Sequence, residues 1–115
     1  MTREQVEALA LSLPAATKVV QWGESDVYKV GGKVFAICGG DGVAFKVSAI
    51  GFEVLTSDGL GRQAPYFAKG QWVSVPLERI AAEDARGWLA TAHSLIAAKL
   101  TRRARAELGL SCAKA

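Results

Sequence analysis

The sequence is short of the residues from which catalytic and metal centres are made. It has one histidine, His93, and two cysteines, Cys38 and Cys112, in no metal-ligand spacing and in no disulfide framework. A lone imidazole cannot build a zinc site, and a general base also needs a nucleophile or a substrate proton within reach. His93 sits beside the apolar stripe of the last predicted helix and reads as a packed or hydrogen-bonded structural residue. The carboxylates are scattered, with no pair spaced for joint acid and base work. The protein is therefore expected not to be an enzyme and to hold no cofactor and no metal. No apolar run approaches the roughly 18 residues of a membrane span. The opening MTREQVEALA carries acids and has no apolar signal core, so a cytoplasmic location without membrane contact is expected.

What is present is the material of a globular domain. Half of the 115 residues are apolar, enough for one domain with its own core and too many for a disordered tail. The net charge of +3 suits a nucleic-acid partner and equally suits many soluble proteins.

The organising stretch is residues 26–48, DVYKV-GG-KVFAIC-GGDG-VAFKVS, which predicts three antiparallel strands joined by two glycine turns. Gly31-Gly32 suits a primed two-residue loop, placing Val30 opposite Lys33 and Tyr28 opposite Phe35. A connection at 39–42 then sets Cys38 against Val43, Ala36 against Phe45 and Val34 against Val47. Alternation collects Val27, Lys29, Val34, Ala36, Cys38, Val43, Phe45 and Val47 on one face, suited to a cover of helices. Tyr28, Val30, Lys33, Phe35, Ile37, Ala44 and Lys46 fall on the other, an aromatic and basic face able to stack bases and attract phosphates. The plainer alternative is that these rings are partly covered and the lysines snorkel at the sheet edge. Residues 39–42, GGDG, precede a strand, so a hairpin turn fits them better than a phosphate cradle, which opens a helix.

Around this meander, Thr2 with Gln5 predicts a capping box, and Val6, Leu9, Ala10 and Leu13 predict a helix over 3–13 that Pro14 stops. Residues 18–23 read as a short edge strand turning at Gly23, with Trp22 packed at the core or its rim. Ser48 is a candidate N-cap for a short helix to about residue 55. Residues 59–70, GLGRQAPYFAKG, read as an irregular loop carrying Arg62, Tyr66, Phe67 and Lys69, either presenting function or connecting with its two aromatics tucked underneath. Residues 72–75 alternate as a last strand. A long helix then opens with Glu83 and Asp84 and carries Ala85, Trp88, Leu89, Ala92, Ile96 and Leu100 as its stripe. Residues 101–108, with Arg102, Arg103 and Arg105, are basic and helix-permissive, and either continue that helix or stand apart. They read as a phosphate-contacting extension or as a solvated face. The domain is expected to span 1–108, with 109–115 a frayed tail.

Taken in order, these pieces resemble the MmcQ/YjbR family over about residues 2–105. The resemblance rests on the opening helix ending in Leu11-Ser12-Leu13-Pro14, on Trp22-Gly23, and on the run Tyr28 to Ala36. It continues through Phe45-Lys46-Val47, Pro65-Tyr66 with Lys69, Trp72-Val73-Ser74-Val75 and Lys99-Leu100. It implies an α+β fold of the frataxin-like (CyaY-like) or double-wing type: a single compact domain, an antiparallel sheet of about five strands packed by N- and C-terminal helices, and a short helix between strands. It also implies a DNA-binding role, with Lys33, Lys46, Tyr66, Lys69 and Trp72 at the contact positions. The chain departs from the family at Phe67-Ala68, where relatives are more polar, and at Ala92, where relatives often carry serine. Frataxin-like architecture raises iron binding, but Glu4 and Glu7 alone do not make the acidic ridge that would need. Adding Arg62, Arg102, Arg103 and Arg105 from the residue reading gives the full set of expected phosphate contacts, with Tyr66 or Trp72 against sugar or base. The alternative function is a non-enzymatic protein-interaction or small-ligand module using the aromatic loop.

Overall fold

The computed structural model of the chain describes residues 1–21, 25–40, 42–65 and 67–109. The first helix, α1 (Arg3–Leu11), opens on the expected capping box: Thr2 Oγ1 accepts from the Gln5 amide at 3.2 Å, and Gln5 Oε1 accepts from the Thr2 amide at 2.9 Å. It buries Val6 and Ala10. Past Pro14 the chain turns through Ala15, held at φ 58°.

Six strands follow: β1 (Ala16–Gln21), β2 (Ser25–Val30), β3 (Lys33–Gly39), β4 (Gly42–Lys46), β5 (Arg62–Gln63) and β6 (Trp72–Pro76). They form one antiparallel sheet in the order β1-β2-β3-β4-β6-β5. A short helix, α2 (Ala49–Ser57), lies between β4 and β5, capped by the Ser48 hydroxyl accepting from the Gly51 amide at 3.0 Å. A 3-10 turn at Leu77–Arg79 leads into the long α3 (Ala82–Ala97), and α4 (Arg102–Glu107) completes the described chain.

The sheet exceeds the expected five strands because the loop at 59–70 hides the two-residue β5, too short to show an alternating pattern. β5 covers the edge of β6, with Arg62 opposite Ser74 and Gln63 opposite Val73. Residues 101–108 do not prolong α3. The chain breaks after Ala98, Leu100 turns inward to pack over Gly31, and Thr101 Oγ1 accepts from the Ala104 amide at 3.0 Å to start a separate helix.

One expectation is corrected by register. The second hairpin pairs Cys38 with Val43 and Ala36 with Phe45, as expected. The first pairs Val30 with Lys33, then slips: Tyr28 lies opposite Ala36, not Phe35, because a bulge inserts one extra residue into β3. The slip reverses β2 relative to β3. Tyr28 and Val30 join Ala36, Cys38, Val43 and Phe45 in the helix-covered core, and Phe35 at the bulge is buried there too. Both rings expected on the open face are fully sealed, with no exposed surface. Val73 and Val75 from β6, Val6 and Ala10 from α1, and Ala85, Leu89, Ala92 and Ile96 from α3 complete this single core.

The lone histidine takes the structural place expected of it. His93 is buried, its Nε2 donates to the Pro14 carbonyl at 2.7 Å, and its ring meets Phe35 edge-on at 5.3 Å between centroids. It ties the end of α1 to α3.

Candidate functional site

Antiparallel pairing sends the beginning of β3, the end of β4 and the beginning of β6 to the same end of the sheet. Lys33 opens β3, and Lys46 closes β4 opposite Trp72 at the start of β6. Lys69 precedes Trp72 by three residues in the turn that feeds β6. Leu100, seated on the Gly31 turn, brings Lys99 to this end, and α4 with Arg102, Arg103 and Arg105 starts beside it. Helix α2 also begins here, directly after β4, and has no acid in its first turn.

The opposite end has a different charge. It holds the turn at Gly40, the end of β6 at Pro76, the acidic Glu78, and Glu83 with Asp84 in the first turn of α3. Two cations on that side are engaged, Arg3 with Asp26 at 3.2 Å and Arg79 donating to the Gly59 carbonyl at 3.2 Å. Lys18, midway along β1, pairs with Glu7 at 2.6 Å.

Lys46 is the least ordinary of the basic-end groups. Only 7% of it is exposed, yet among the described residues its ammonium has just the neutral Gln71 side-chain oxygen as a hydrogen-bond acceptor. Burial pushes its pKa down, and the nearby positive charge of Lys99 pushes it further the same way. Among the described residues no carboxylate pairs with either lysine. Beside Lys46, between α2 and α3, opens a cleft of about 250 Å3 lined by Phe45, Ser48, Gly51, Val54 and Trp88 among others. Its floor is firm, since the Phe45 and Trp88 rings stack at 5.5 Å. Its rim is apolar and open: Val54 is half exposed, and Ile50 one turn earlier is 77% exposed.

Of the residues expected to make contacts, Lys33, Lys46 and Lys69 lie at this end of the sheet, and α4 with its three arginines begins beside it. Arg62 stands apart, on the β5 edge opposite the middle of β6. Arg103 is shared with Glu107 at 3.6 Å. Trp72 is 7% exposed and lies under the Phe67 ring, stacked at 4.2 Å, so Phe67 is the outer, half-buried ring of that pair. Tyr66, like Trp22, Gly23 and all of the tail from residue 110, lies outside the described residues. Phe67 belongs to the aromatic loop that the sequence marks out, whereas Gln71 and Lys99 carry no sequence signal as contact residues. Nothing local distinguishes an isolated lysine after a helix, and only the seating of Leu100 delivers Lys99 to Lys46.

No cluster of three or more metal-ligating side chains occurs among the described residues, and no helix is long and apolar enough to cross a membrane.

No curated protein matches the chain. The fold is similar to that of a solved structure, the crystal structure of Deinococcus radiodurans protein DR2400, with a DUF419 family-model domain. The match has TM-score 0.82 and 23% identity, and covers 95% of this chain and 88% of that one. A family model described as YjbR matches residues 11–95, well over half of the 115. With that match running from the last residue of α1 to near the end of α3, this chain belongs to the YjbR family.

Proposed function

We propose that the protein is a non-enzymatic DNA-binding domain that holds phosphates at the basic end of its sheet. One observation carries the reading: Lys33, Lys46, Lys69 and Lys99 gather at one end, while Glu78, Glu83 and Asp84 occupy the other. A surface polarised in this way orients an approaching polyanion before contact. The sheet face is no longer part of the proposal, because Tyr28 and Phe35 are sealed in the core. The aromatic contribution passes from Trp72 to the overlying Phe67, which packs against a sugar or base. Contacts of this kind read the phosphate backbone and discriminate little between sequences.

The test is a mobility shift with a duplex bearing 5′-hydroxyl ends at two salt concentrations. Affinity falls steeply with salt, with a log–log slope of about −0.9 per phosphate neutralised. Replacing Lys33→Glu together with Lys69→Glu flattens that slope by about two such contacts. Absence of binding at low salt, or binding indifferent to the double replacement, overturns the proposal.

A further inference from the structure

We propose that a phosphomonoester dianion seats between Lys46 and Lys99 at the mouth of the α2–α3 cleft, with its organic part lying on Val54 and Trp88. The inference rests on the reading of this end as a phosphate-binding surface, and it adds a defined seat and a ligand class.

Lys46 and Lys99 act on each other here without a described carboxylate to compensate them, and the Lys46 residue, which lines the cleft, keeps only 7% of its surface exposed. Burying a charge beside a like charge is costly unless an anion completes the arrangement. Gln71 satisfies one donor of Lys46 and leaves the net charge untouched. The nine-residue α2 begins at the same mouth. Its Ser48 hydroxyl is taken up by the Gly51 amide, which leaves the amides of Ala49 and Ile50 without an intrahelical acceptor. Those two amides and the positive end of the helix add to the field of the lysines.

The charge selects the ligand. A phosphomonoester carries about −1.5 to −2 at neutral pH and matches two lysines, whereas a backbone diester carries a single charge. The cleft selects it further: about 250 Å3 is more than a bare ion fills and sits just under the roughly 300 Å3 at which small-molecule pockets begin. Its apolar lining of Phe45, Val54 and Trp88 suits a ring or a short apolar group. Two sources offer this chemistry, the phosphorylated 5′ end of a nucleic acid and a free mononucleotide.

The full chain is titrated with single-stranded oligonucleotides of one sequence bearing a 5′-phosphate or a 5′-hydroxyl, with AMP, and with inorganic phosphate. The backbone amides of Ala49 and Ile50 are followed by NMR. A 5′-phosphate is expected to tighten oligonucleotide binding about 10-fold, as one charge-assisted pair does. AMP is expected to shift both amides and to raise the pH at which Lys46 titrates. Lys99→Gln, at an exposed position where folding is not at stake, removes the 5′-phosphate preference and weakens AMP. Lys46→Met does the same in a buried isostere. Amide shifts with AMP but no gain from the 5′-phosphate assign the seat to free mononucleotides. Equal binding of the two oligonucleotides with no amide shift up to about 10 mM AMP or phosphate overturns the seat, as does AMP binding unchanged in Lys99→Gln. Salt-dependent binding of the 5′-hydroxyl oligonucleotide in that same experiment leaves the DNA reading standing, so the two failures are separable.

Discussion

The two ends of the sheet are each closed by a tight turn with glycine at positive φ, Gly31 at φ 60° and Gly40 at φ 59°, yet they are used differently. At the Gly31 end the turn is a packing surface. Leu100 sits so close that an added Cβ would lie 2.6 Å from its Cδ1, and through that contact α3 delivers Lys99 and α4 to the basic cluster. At the Gly40 end nothing lies within 4 Å of an added Cβ, and Glu78, Glu83 and Asp84 gather there. Equal local backbone requirements thus serve a connector at one end and a site-building contact at the other.

The sharpest way to break this comparison is to add one methyl group at each turn. Gly31→Ala combines the αL cost with a clash and is expected to destabilise by about 3 kcal/mol, whereas Gly40→Ala meets only the αL cost of about 1 kcal/mol. Denaturant midpoints at equal m-values measure both, and equal losses would mean that the Leu100 contact is not a firm one. Next in size is charge exchange. Lys33→Glu with Lys69→Glu is expected to lower DNA affinity about 10- to 100-fold at moderate salt, while Arg79→Glu with Arg86→Glu, both exposed and away from the basic end, changes it by less than about 2-fold. Comparable losses from both pairs would reduce the polarity to a matter of net charge.

Two buried ionisable groups sharpen the contrast at smaller amplitude. Tyr28 is buried with a hydroxyl that has no hydrogen-bond partner among the described residues. Removing it in Tyr28→Phe is expected to be neutral or to stabilise by about 1 kcal/mol. Burial, and after it the Asp26 carboxylate, raise the Tyr28 pKa above its usual value near 10. The folded state therefore keeps the proton longer than the unfolded chain, and stability contributed by neutral Tyr28 is lost as pH climbs beyond about 10. Tyr28→Phe lacks that loss, which denaturation at pH 9 and 11 detects. Lys46 has the opposite sign. Its pKa is lowered, the unfolded chain binds the proton more readily, and stability rises with pH up to the unfolded value of about 10.4. Lys46→Met removes this rise and is the smallest of the expected effects.

Much of the fold was legible because its signals are local. The capping box at Thr2 and Gln5, the Ser48 cap, the paired glycines and the alternation of residues 72–75 each depend on neighbours within a few positions. Lys33, Lys46 and Lys69 stand out by residue type and adjacency to strands, and the strand order puts them at the same end of the sheet. Tyr28 and Phe35 were assigned to the open face because alternation was carried unbroken through β3, and one extra residue there reversed β2. A bulge adds no characteristic residue to the sequence, and here the extra residue, Phe35, is an ordinary apolar one that packs edge-on against His93. Trp72 was expected to be available for contact, and the Phe67 ring lies over it.

By itself the sequence determined the element types, the one-domain core and the family, since helical and strand periodicity, caps and turn residues act over short range. Tertiary structure alone decided which rings are sealed, that residues 101–108 form a separate helix, and that Lys99 stands beside the buried Lys46. The physical reason is that burial and charge proximity depend on where Leu100 and the bulged strand dock, and contacts between residues more than fifty positions apart leave no pattern along the chain.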